Sequence, residues 1–156
     1  MADMLYYCIC FHLLPCLQIY KRRITMEKKY QIELTETQLH LIAECVEDCH
    51  RFMAGQTDLW HCVSRLDCYY ELKDGLAKLQ PFVTPDLPFN ASYGWSGEKC
   101  PNKEQRKFIA QTYPIYREIL HFFACQKSGN EWNVYNSDTL TCTEGGEPIK
   151  IKIKKE

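Results

Sequence analysis

Tyr30-Gln31-Ile32-Glu33-Leu34 and Ile149-Lys150-Ile151-Lys152-Ile153-Lys154 bracket most of this 156-residue chain, and their reading decides the fold class. In both, apolar residues alternate with polar ones. Successive side chains of an extended strand point to opposite faces, so each segment offers one apolar and one polar face. Helical patterns lie between them. The expectation is an α+β domain: a small antiparallel sheet from the N- and C-terminal strands, packed against two or three helices.

Thr35-Glu36-Thr37-Gln38 is a capping box, which starts a helix immediately after the first strand. Leu39, Ile42, Cys45, Val46, Cys49 and Phe52 follow at three-and-four spacing, and Gly55 supplies a left-handed stop. Glu44, Glu47 and Asp48 then fall on the solvated face. A second helical pattern covers residues 58–79, through Leu59, Val63, Leu66, Tyr70 and Leu76. Asn102 caps a third, with Phe108, Thr112, Ile115, Tyr116, Ile119 and Phe123 as its buried stripe and Pro114 inside it. Ser128-Gly129-Asn130 ends that helix. Short strands are expected near residues 132–135 and 140–143, before a turn at residues 144–147.

Composition excludes several classes. Hydrophobic residues make up 46% and charged residues 25%, ordinary values for one globular domain. A net charge of −1 collects no nucleic acid non-specifically, and no helix presents a basic face suited to a groove. Ten cysteines include no C-x-x-C pair, so they read as reduced thiols that mostly belong to the core. Cys45, Cys49, His50, His61 and Cys62 match no standard zinc spacing, so neither a metal nor a cofactor is expected. Residues 4–20 are apolar but short for a membrane span. They are broken by His12, Pro15 and Gln18, and their positive charges follow rather than precede them. Residues 1–25 therefore read as a non-native or dispensable leader, with a single ligand-binding domain from Met26 to Glu156 and no membrane role.

Candidate functional residues concentrate in the long connection at residues 80–101. Phe89-Asn90-Ala91-Ser92-Tyr93-Gly94-Trp95 is too aromatic for a disordered segment. Rings such as Phe89, Tyr93 and Trp95 stack on a base, and Asn90 reads a polar edge. The competing reading makes the same rings plugs between helices. Arg117, with His121 one turn later, suits a phosphate, because a guanidinium donates two parallel hydrogen bonds; the competing reading is a salt bridge to Glu118 or to a carboxylate across the fold. Arg65 is a weaker site of the same kind, as is Arg51, and Gln56, just after Gly55, is either a further polar contact or a turn residue. His50 and His61 flank a helical turn and are the only acid–base pair on offer, a pattern that exposed histidines also produce. The chain has no phosphate-binding glycine loop, H-E-x-x-H or nucleophile elbow, which favours binding over turnover.

Tyr30-x-Ile32-x-Leu34-Thr35-x-x-Gln38-Leu39, Met53-x-Gly55-Gln56, Asn90-Ala91-Ser92-Tyr93-Gly94 and Ile115-Tyr116-Arg117-x-Ile119 occur in that order. In this layout the chain resembles the phage anti-Thoeris sponges, the first-described family of Thoeris anti-defence proteins. The resemblance covers most of Met26 to Glu156. It implies a non-catalytic, oligomeric protein in the cytoplasm of an infected bacterium. Such a protein sequesters a cyclic ADP-ribose-type signal made by bacterial TIR-domain proteins, with Asn90 and Arg117 among its contacts. A phosphodiesterase acting on the same signal and a phage module that covers a host protein are the alternatives.

Overall fold

A computed structural model describes residues 28–127, 133–146 and 148–153. The chain divides into Met1–Glu33 and a body, Leu34–Glu156. The leader at residues 1–25 and the helix stop at residues 128–130 lie outside the described residues. In the first unit, residues 28–33 form no regular element and are exposed, with Tyr30 at 82% and Ile32 at 73%.

The body is helical. Helix α1 is Glu36–Ala54, α2 is Trp60–Val63, α3 is Tyr69–Ala77, α4 is Gln80–Val83 and α5 is Lys103–Gln126; a 3-10 turn follows at Val134–Asn136. The expected antiparallel sheet is not present: no strand occurs among the described residues. Residues 148–153 keep the alternation without a ladder. Ile149 and Ile151 pack against the core while Lys150, Lys152 and Ile153 stay exposed. A period of two marks an amphipathic extended chain, but it does not provide the neighbour that a strand requires. The segment at residues 132–135 likewise gives way to the 3-10 turn where it is described, and residues 140–143 are irregular.

Helix α1 begins as its capping box predicts. The Thr35 hydroxyl accepts from the Gln38 amide (3.3 Å), and Gln38 Oε1 accepts from the Thr35 amide (2.9 Å). Gly55 ends it at φ 105°, with its amide donating to Phe52 and that of Gln56 to Arg51. The buried line, however, is Ala43, Glu47, His50 and Ala54, joined by Asp48. Ile42, Cys45 and Cys49 are exposed. The face that packs therefore overlaps the predicted stripe only in part: Leu39 and Val46 lie against the core cluster, and the buried line beside them is mostly polar. Cys62, Cys68 and Cys125 are exposed as well, so the described thiols are not mostly core; Cys100 is the buried one.

Helix α5 is capped by Asn102 Oδ1, which accepts from the amides of Glu104 (3.1 Å) and Gln105 (3.2 Å). Its buried residues are Ile109, Ala110, Tyr113, Pro114, Tyr116, Arg117 and Ile119, a broader face than the predicted stripe. Phe108, counted in that stripe, is 39% exposed. Pro114 has no amide hydrogen, so the Ala110 carbonyl loses its helical partner. The Cys142 thiol donates to it instead, at 3.7 Å. Gly145 approaches the same carbonyl so closely that a Cβ would lie 2.8 Å from it.

The predicted second helix is broken into α2 and α3. Leu59, at φ 46° and ψ 50°, precedes α2, and the helix is interrupted again at residues 64–68, where turns carry the chain from Val63 to Tyr69. Three side chains hold the shorter elements in place, and one of them, Gln105 of α5, reaches both α1 and α4. Thr57 Oγ1 donates to the Leu76 carbonyl (2.7 Å), and Gln105 Nε2 donates to the carbonyls of Met53 (2.8 Å) and Val83 (2.9 Å). Gln80 Nε2 donates to Thr84 Oγ1 and to the Pro88 carbonyl.

Gly55 is the position in this framework least able to change. Its φ is unfavourable for any L side chain, and an added Cβ would meet Thr84 Cγ2 at 2.7 Å. Gly55→Ala is expected to cost about 2 kcal/mol or more, summing left-handed strain and overpacking. Urea unfolding of the two proteins measures it, and equal midpoints would refute the tight contact.

Candidate functional site: a buried carboxylate network

Glu47 is 1% exposed, on the inner face of α1. A carboxylate taken from water loses several kcal/mol of solvation unless charged or polar donors replace it. Here both oxygens are occupied. Oε1 accepts from Arg51 Nε (2.8 Å), Arg51 Nη2 (2.6 Å) and the Tyr135 hydroxyl (3.1 Å). Oε2 faces His61 Nε2 at 3.1 Å, which makes that nitrogen the protonated one of the ring. The donors come from α1, α2 and the 3-10 turn.

Asp48, 2% exposed, places the histidine. Its Oδ1 accepts from the His61 amide (3.1 Å) and its Oδ2 from the Cys62 amide (2.8 Å). Helix α2 has no side-chain cap of its own, so Asp48 supplies one from across the fold. The same carboxylate, with burial, pushes the Cys62 thiol up to about 11; the Asp48 hydrogen bond is the larger cause. Glu47 and Asp48 were expected on the solvated face of α1 and instead form its buried centre.

Tyr135 continues the network away from Glu47. Burial first, and then the Glu47 charge, raise its hydroxyl pKa, as they do for Tyr116. The Arg117 guanidinium lies over the Tyr135 ring, 4.9 Å from its centroid. Arg117 Nη2 donates to the carbonyls of Val134 (3.1 Å) and Ser137 (3.2 Å), and His121 Nδ1 donates to that of Tyr135 (2.7 Å). Arg117 is 7% exposed, and its Nη1 has no acceptor. No ion pair to it occurs among the described residues.

The predicted site residues fall into three groups. Gln56, Arg117 and His121 join the network; Gln56 Oε1 accepts from Arg51 Nη1 at 3.2 Å. Tyr93 and Trp95 are packed inward. Tyr93 is 5% exposed, lies in a cluster with Ala54, Cys100 and Ile109, and its hydroxyl donates to Asp86. Trp95 sits 4.9 Å from the Tyr113 ring. Phe89 is 63% exposed and Asn90 takes a left-handed φ of 66°, both at the surface. Arg65 pairs with Glu44 Oε2 at 2.5 Å, on the exposed side.

His50 and His61 do not pair as acid and base. His50 is 4% exposed and its Nδ1 donates to the Ile109 carbonyl (3.1 Å), whereas His61 serves Glu47. Among the described residues no group of three or more Cys, His, Asp or Glu is placed to hold a metal ion. A pocket of about 210 Å³ opens elsewhere, lined by Ser96, Glu98, Arg106, Cys142, Thr143 and Glu144. Ligand pockets run from roughly 300 Å³ upward, so this one is small for a dinucleotide. No described helix is long and apolar enough to cross a membrane.

Sequence reasoning missed Glu47, Asp48, His61 as a carboxylate partner, and Tyr135. One signal existed: Glu47 and Arg51 are four apart on a helix, the spacing of an ion pair. Nothing local linked either to Tyr135, 88 residues on. Comparison of the chain with protein-family models, with curated proteins and with solved structures finds no match in any of the three.

Two measurements test the network. Glu47→Gln leaves three donor groups facing a neutral amide and is expected to lower stability by about 2 to 4 kcal/mol in urea unfolding; a loss below about 0.5 kcal/mol would remove it as the anchor. Burial, partly countered by the bond to Ile109, lowers the His50 pKa to about 4. The unfolded chain, with an ordinary value of 6.5, then binds the proton first. The His50 contribution is complete above pH 6.5 and falls away between pH 6.5 and pH 4, by up to about 1.4 kcal/mol per unit. His50→Asn should flatten the wild-type stability curve across that window, and parallel curves would show that His50 does not titrate there.

Proposed function

We propose that this chain is a non-catalytic binding protein that sequesters a small anionic signal of the cyclic ADP-ribose type. In this reading it is a phage-encoded anti-defence protein of the bacterial cytoplasm, as its resemblance to the anti-Thoeris sponges implies. The observation that carries the reading is Arg117: a guanidinium 7% exposed, without a carboxylate partner among the described residues and with Nη1 free of acceptors. A buried cation left in that state favours an anion. Phosphate oxygens match a guanidinium, and His121 lies one helical turn away. With Tyr93 and Trp95 committed to packing, stacking on the base falls to Phe89, the exposed ring of the three. Exposed Trp60, Tyr70 and Phe82 fit the oligomer that the resemblance implies.

Those same exposed rings favour a second reading, a protein–protein module that covers a host protein. Apolar patches on a chain surface mark interfaces, and Tyr70 at 76% and Phe82 at 83% are prominent.

Incubation of the purified protein with lysate containing an active TIR-domain signal separates these readings. Removal of the protein by filtration is expected to deplete the signal, and heat denaturation to return it intact. Permanent loss identifies an enzyme, and an undiminished signal leaves the protein–protein module. Arg117→Met should weaken binding by about 1.5 to 3 kcal/mol, roughly 10- to 150-fold, the worth of a charged hydrogen bond. Unchanged affinity would take Arg117 out of the site.

A further inference from the structure

Cys125 lies one turn beyond His121 near the C-terminal end of α5, so the two side chains share a face of the helix. Cys125 is exposed and His121 is 23% exposed, so both reach solvent. His121 Nδ1 stands 2.7 Å from the Tyr135 carbonyl, which only accepts, so that nitrogen carries the ring hydrogen. In the neutral ring, Nε2 then keeps a lone pair. Cys125 Sγ lies 3.6 Å from Nε2 and 3.7 Å from Nδ1. With Nδ1 committed to Tyr135, the thiol hydrogen has one acceptor on the ring, and it is Nε2. Asp138 Oδ1 stands 3.8 Å from the same nitrogen.

These groups are the parts that activate a nucleophile: a thiol, a base beside it, and a third group that orients the base. The Tyr135 carbonyl fixes the tautomer of His121, and the Asp138 carboxylate favours the imidazolium that forms when Nε2 takes the proton. Orientation comes from outside the helix, because Arg117 grips the same segment through the carbonyls of Val134 and Ser137. The cluster does not converge on a metal position, so what it offers is proton transfer. The other exposed thiols make a contrast. Among the described residues, no histidine is hydrogen-bonded to Cys45, Cys49 or Cys68. At Cys62 the Asp48 hydrogen bond, and then burial, hold the thiol up at about 11.

We propose that Cys125 is a modification site, a nucleophilic thiol with His121 as its base, which takes up a small disulfide by thiol–disulfide exchange. The Cys125 S–H bond breaks and its proton passes to His121 Nε2. The thiolate attacks one sulfur of the disulfide, an Sγ–S bond forms and the original S–S bond breaks. The departing thiolate takes the proton from Nε2 and leaves as a thiol. Cys125 is thereby oxidised to a mixed disulfide while half of the attacking molecule is reduced. The site stands at an open helix end, which admits a low-molecular-weight disulfide, and it is independent of any nucleotide bound elsewhere.

The test treats the reduced full chain with excess bis(2-hydroxyethyl) disulfide, a neutral probe. Samples are quenched in acid, and peptide mass spectrometry reads the rate at each cysteine. At about pH 7, Cys125 is expected to react roughly tenfold faster than Cys45, Cys49 and Cys68, with Cys62 slowest of the exposed thiols. His121→Gln keeps a donor for the Tyr135 carbonyl and removes the base; circular dichroism checks its fold, and its Cys125 should react at the rate of the reference thiols. At about pH 9.5 ordinary thiols are mostly ionised, so the wild-type lead should shrink to about twofold or less. Ionisable groups flanking the pair are Arg117, Glu118 and Lys127 along the chain, and Tyr135 and Asp138 on the facing segment. Equal rates for Cys125 and the reference thiols in wild type at about pH 7 overturn the proposal without any variant. A lead that survives in His121→Gln, or that persists undiminished at about pH 9.5, also overturns it, because exposure alone would then explain the rate.

Discussion

Burial of the Glu47 carboxylate is the constraint around which the helical body is organised. An ionised carboxylate with 1% exposure is tolerable only where strong donors replace its water, and those donors must arrive from different directions. Arg51 lies one turn along the same helix, so it costs little to recruit. His61 and Tyr135 are distant in sequence and carry α2 and the 3-10 turn with them. One charge thus fixes two connections that have no strong structure of their own. Asp48 acts beside it as a remote cap, and without that cap a four-residue helix such as α2 has little reason to form.

A second device joins the C-terminal segment to α5. Proline inside a helix removes one hydrogen bond and usually bends the axis. Here the freed Ala110 carbonyl becomes a docking point, taken by the Cys142 thiol and approached by Gly145. Arg106 adds a bond from Nε to each Glu144 oxygen at 3.2 Å and another from Nη1 to the Cys100 carbonyl. Residues 142–146 are therefore held by a helix defect and an exposed ion pair rather than by a sheet. The alternating isoleucines then need only an apolar surface to lie on, and Ile149 and Ile151 find one in the cluster of Ala43, Tyr113, Tyr116 and Ile119.

What the sequence made legible follows from the range of each interaction. The Thr35 capping box, the Gly55 stop and the Asn102 cap act within a few residues, and all three are where the pattern puts them. Hydrophobic periodicity located α1 and α5 and found part of the packed face of α1, Leu39 and Val46, but missed its buried centre, because a buried carboxylate scores as surface on any apolar scale. The break between α2 and α3 falls at residues 64–68, which hold no proline or glycine to announce it. The sheet failed for a different reason. Alternation describes one strand's faces, whereas a sheet is a relation between two segments, and a single chain's pattern does not encode that pairing. Among the site residues, Arg117 was readable as a guanidinium next to an apolar face. Its partner Tyr135 was not, since their contact closes a loop of 17 residues with no shared motif.

Tyr135 gives the two arginines different roles. Its hydroxyl joins Arg51 on the Glu47 carboxylate, and its ring face carries Arg117, which has no carboxylate. Arg51 is half exposed and paired, whereas Arg117 is buried and lacks an ion pair, the reverse of what solvation alone prefers. Polarisation makes the arrangement consistent: a hydroxyl that donates to Glu47 makes its ring more electron-rich and strengthens the attraction for the cation above it. The charge on Glu47 is thus felt at Arg117 through one aromatic ring. The 3-10 turn that carries Tyr135 is the element both arginines meet, Arg51 through the shared Glu47 carboxylate and Arg117 over the ring.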